Sequence, residues 1–60
     1  MIEARYDYAG PYRSSQRAND VLEHMFASDQ VSEGERPLIE GRAVRGTKGI
    51  VRRWYITLPM

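Results

Sequence analysis

Sixty residues are enough for one small domain (1–60), and a chain this short buries only about 60% of the surface its unfolded form exposes, so its stability margin is narrow. The absence of cysteine excludes disulfides and thiolate metal sites, and a single histidine would leave a zinc ion dependent on carboxylates. The formal net charge of +1 hides a strong segregation: residues 1–35 hold three arginines against seven carboxylates, whereas residues 36–60 hold six cations against Glu40 alone.

Ile2, Ala4, Tyr6 and Tyr8 alternate with Glu3, Arg5 and Asp7, a period of two that predicts a strand with one apolar and one charged face. Gly10-Pro11 is expected to end it, since proline lacks the amide donor and glycine permits a sharp turn. Ser14 or Ser15 can then cap a helix. Ala18, Val21, Leu22, Met25 and Phe26 follow at i, i+3, i+4, i+7 and i+8, which predicts an amphipathic helix from about 15 to 28. Residues 29–37 read as a polar loop closed by Pro37.

Two further strands are predicted at 38–45 and 50–58, joined by a hairpin through Gly46-Thr47-Lys48-Gly49. Gly41 marks either a bulge or a close backbone approach. Trp54, Ile56 and Leu58 make the last strand the most apolar, which suits it to a central place. The predicted fold is α+β, in the order β-α-β-β. It has a three-stranded antiparallel sheet with the C-terminal strand central and the helix on one face. The expected core is Ile2, Ala4, Tyr6, Val21, Leu22, Met25, Phe26, Ile39, Trp54, Ile56 and Leu58.

One helix leaves one sheet face bare. That face should carry Glu3, Arg5, Asp7, Arg42, Val51, Arg53, Tyr55 and Thr57, with Leu38 and Val44. An antiparallel sheet tolerates a wet face laced with ion pairs. The apolar members nonetheless suggest an interaction surface, and Arg42, Val44, Val51, Arg53 and Tyr55 are its candidate contacts. An open edge strand offers a second route to self-association.

From Arg42 to Arg53 the chain has five cations and no acid. Arg42, Arg45, Lys48, Arg52 and Arg53, with Tyr55 stacking, are therefore candidate contacts to nucleic acid. A sequence pI of 8.2 falls below that of many basic nucleic-acid-binding domains, and structural pairing of opposite charges would explain the segregation equally well.

Motifs for other chemistry are weak. Gly41 to Lys48 approaches a phosphate-binding loop, but threonine precedes lysine and no helix follows. Asp20, Glu23 and His24 share one helical turn, the ordinary pattern of a solvated face. No nucleophile–base pair is apparent. The expectation is a non-enzymatic, cytoplasmic protein without cofactor, metal, membrane contact or small-molecule substrate. Its partner should be a second copy or another protein, with nucleic acid as the alternative.

Overall fold

The structure, a computed structural model, describes residues 3–60. The chain forms β1 (Arg5–Tyr12), α1 (Ser15–Ala27), a short 3-10 turn (Glu33–Glu35), β2 (Leu38–Gly46) and β3 (Gly49–Pro59). The sheet order is β1-β3-β2, with β3 antiparallel to both neighbours. The apolar C-terminal strand is thus central, and α1 packs on one face of an α+β domain. The Cα atoms span 38 × 30 × 12 Å, two layers thick, and the eleven residues of β3 account for about 36 Å of the long dimension.

The helix begins where the serines indicated. Ser14 has extended backbone, and its hydroxyl accepts the Arg17 amide at 3.0 Å. The helix ends in a turn the sequence disguised. Asp29 occupies the left-handed region at φ 60°, its amide donates to Phe26 O at 3.2 Å, and the Gln30 amide donates to Met25 O at 2.9 Å. This is a Schellman motif, usually built with glycine. It swings Val31 back into the core at 1% exposure, within what looked like a polar loop.

The buried set is Ala18, Leu22, Met25, Val31, Ile56 and Leu58, with Tyr8, Ala9, Tyr12, Val21, Phe26 and Ile39 packed around it. Three expected core residues depart from this. Ala4 and Tyr6 are exposed, and Trp54 is half-buried. Ile2 lies outside the described residues.

β1 does not stop at Gly10-Pro11 but continues to Tyr12. Tyr6 pairs with Leu58, Ala9 with Ile56 and Tyr12 with Trp54, so the register shifts twice. Each bulge re-aims the side chains that follow it. Tyr8 and Ala9 at the first shift and Tyr12 after the second pack against the core, whereas Tyr6 shares the face of Leu58 opposite it and is nonetheless 44% exposed. The Gly10-Pro11 peptide is cis and Gly10 has φ 123°; the proline is tolerated because β1 is an edge strand.

No such interruption occurs in β2. It pairs with β3 without a shift from Leu38↔Thr57 to Gly46↔Gly49. Gly41 marks a close approach and not a bulge: a Cβ there would lie 2.6 Å from the indole of Trp54, which crosses the glycine from the facing strand.

Candidate interaction surface on the outer sheet and hairpin

Ile56 and Leu58 face the helix, so the intervening residues of β3 face away, and residues directly opposite across an antiparallel pair share a face. The outer face accordingly carries Arg5, Asp7, Leu38, Glu40, Arg42, Val44, Val51, Arg53, Tyr55 and Thr57. This is the composition expected from the sequence with Glu40 added and without Glu3, which precedes β1 and pairs with Arg5 and Arg36.

Its centre is occupied by ion pairs. Arg42 lies over the Tyr55 ring, 4.3 Å from its centroid, and reaches across β3 to clasp Asp7 through two hydrogen bonds, one of them 3.0 Å. Hydrogen bonding from Arg42 holds the Asp7 carboxyl below its ordinary value, and the same bond raises the Arg42 guanidinium.

Arg5 makes the second cluster. It donates to Thr57 Oγ1 at 3.0 Å, to the Thr57 carbonyl at 2.9 Å and to Glu3 at 2.7 Å, and it also reaches the Arg36 carbonyl. Thr57 is buried beneath it although no helix covers this side. Arg36 pairs with Glu3 in turn.

The apolar residues fall at opposite ends of this face. Leu38 is half-exposed at one end, while Val44 and Val51 pair at the other. Of the candidate contacts, Arg42 and Tyr55 are engaged with Asp7 and with each other, and Val44, Val51 and Arg53 cluster toward the hairpin. The face is divided, with charged groups between its two apolar ends.

The sheet has two edges of different character. The β1 edge has two register shifts and a proline. The β2 edge is straight for nine residues, with no proline, no bulge and no neighbour on its outer side.

Beyond Trp54 the hairpin leaves the rest of the domain. β1 pairs with β3 only from Pro59 back to Trp54, so residues 42–53 form a two-stranded ribbon. Arg45, Ile50 and Arg52 point to the helix side and Arg53 to the outer side, while Lys48 sits in the turn. Among the described residues, Arg45, Lys48, Arg52 and Arg53 have no carboxylate within ion-pair distance. Arg52 lies 5.8 Å from the centroid of Trp54, an aromatic neighbour that the core assignment had concealed. Ile50 is 70% exposed at the tip.

Asp20, Glu23 and His24 remain on the exposed side of α1, and among the described residues no group of three acids, histidines or cysteines is placed to hold a metal ion. Among the described residues no helix is long and apolar enough to cross a membrane. Comparison with protein-family models, curated proteins and solved structures finds no match to this chain.

Proposed function

We propose that this chain is a non-enzymatic protein–protein interaction module that forms a homodimer by antiparallel pairing of β2 with β2 of a second copy. The observation that carries this is the contrast between its edges. Natural sheets blunt their edges with bulges and proline, as β1 does, because an open strand is a template for another. β2 has none of these devices.

Charge and shape favour a second copy as the occupant. Pairing about a two-fold axis at Gly41 sets Glu40 opposite the partner's Arg42, Leu38 opposite the partner's Val44, and Ile39 opposite the partner's Ala43. Opposite charges meet on the outer face and apolar side chains meet on both faces, each pair contributing roughly 0.2–1 kcal/mol. The six-stranded sheet also relieves the weakness of a 60-residue core.

Mass measurement by analytical ultracentrifugation tests this directly. The wild type should sediment at about twice 6.9 kDa. Along β2, alternate residues direct their amides to β3 and to the open edge. Of the neighbouring variants Ala43→Pro and Val44→Pro, one therefore breaks the intramolecular ladder and the other blocks only the edge. The folded member of this pair should be monomeric. Glu40→Arg, which sets like charges opposite twice, should weaken association about tenfold. A folded wild type that stays at 6.9 kDa at every concentration overturns the assignment.

A further inference from the structure

We propose that the distal β2–β3 ribbon is a binding site for duplex DNA, held through the phosphate backbone and without sequence preference. Three features of residues 43–53 carry this. β1 does not pair with the ribbon, and none of residues 43–53 belongs to the core cluster. An isolated two-stranded ribbon is marginal in water, so its extension beyond the core adds little stability. Its cations are also uncommitted: Arg42 is held by Asp7, but Arg45, Lys48, Arg52 and Arg53 are not paired among the described residues, and no acid occurs from Gly41 to Met60.

The third feature is where the charges point. Arg45 and Arg52 project from one face of the ribbon, Arg53 from the other, and Lys48 from the tip. A platform for single strands gathers cations and bare aromatic rings on one face. Here neither ring is bare: Tyr55 is covered by Arg42, and half-buried Trp54 lies against Gly41 with Arg52 beside it. Charges on both faces suit a ribbon lying in a groove, with phosphates on either side. The B-form major groove, about 12 Å wide, admits a two-stranded ribbon, whereas the A-form groove of RNA is too narrow.

The site belongs to the single copy. In the homodimer, pairing about Gly41 would set residues 43–46 against residues 36–39 of the second copy, so edge pairing and insertion of the ribbon into a groove compete.

The test is fluorescence anisotropy with a labelled mixed-sequence DNA duplex of about 20 base pairs, titrated at several salt concentrations. Four phosphate contacts per copy predict a log–log salt slope of about −3.6, and hence a roughly hundredfold loss of affinity from 50 to 200 mM salt. Arg52→Gln with Arg53→Gln should reduce that slope by about 2. Arg36→Gln removes a charge at the opposite end of β2 from the hairpin and should leave the slope unchanged.

Four results would overturn the proposal: no binding at 50 mM salt, a slope near zero, the same loss per charge removed in the Arg52/Arg53 and Arg36 variants, or tighter binding to the corresponding single strand. Sedimentation of the wild type separates this failure from failure of the homodimer: a monomeric wild type that still binds with the single-copy slope keeps the ribbon site and loses only the dimer.

Discussion

Arg5 and Arg42 turn an uncovered sheet face into a structured polar surface. Each reaches over a neighbouring side chain, Arg5 over Thr57 and Arg42 over Tyr55, before it meets an acid. Lysine could not replace either, because only the planar guanidinium can donate in several fixed directions while lying flat on an aromatic ring. The Asp7–Arg42 clasp has a testable pH signature. Asp7 is held below its ordinary 3.8 by hydrogen bonding to Arg42, so its contribution to stability is present above the ordinary carboxylate range and is lost as pH falls through its lowered value. Asp7→Asn should therefore melt below the wild type at neutral pH, with the gap closing in acid. A gap that stays constant across that titration would mean the clasp is not coupled to folding. Strand alternation made both arginines legible as outer-face residues. Their partners were not, since Asp7 and Arg42 are 35 positions apart and meet only when β3 lies between their strands.

At the scale of elements, α1 was the most legible feature because its cap, apolar spacing and exposed face agree. Its C-terminus was not, because Asp29 stands where glycine is the usual signal. Positive φ costs an ordinary side chain roughly 1 kcal/mol, and aspartate escapes only part of that. Asp29→Gly should accordingly raise stability by about 0.5–1 kcal/mol in chemical denaturation. A lower unfolding midpoint would show that the aspartate carboxylate has a compensating role. Val31 could have been found by the same logic, as the lone apolar residue shortly after an apolar helix, where a chain reversal returns it to the core. In β1 the Gly-Pro pair was read as a stop. It proved to be a bulged continuation, permitted because the strand lacks a second neighbour whose ladder the proline would break.

Across the whole molecule, the helix covers only part of the sheet, leaving one open edge and one projecting basic ribbon. Edge pairing of β2 makes apparent stability depend on concentration, because a partner that binds only the folded state stabilises it by mass action. The melting temperature should rise steadily over a hundredfold increase in protein concentration. A concentration-independent melt with a monomeric mass would leave β2 without a partner. The sequence alone determined the element order, the central place of β3, the start of the helix, most of the outer face and the segregation of charge. Each follows from short-range periodicity or from counting, and neither needs knowledge of distant neighbours. Tertiary structure alone decided the two shifts of β1, the approach of Trp54 to Gly41, the burial of Val31 and which arginines are paired. Those outcomes depend on contacts between residues far apart in the chain, so no local pattern specifies them.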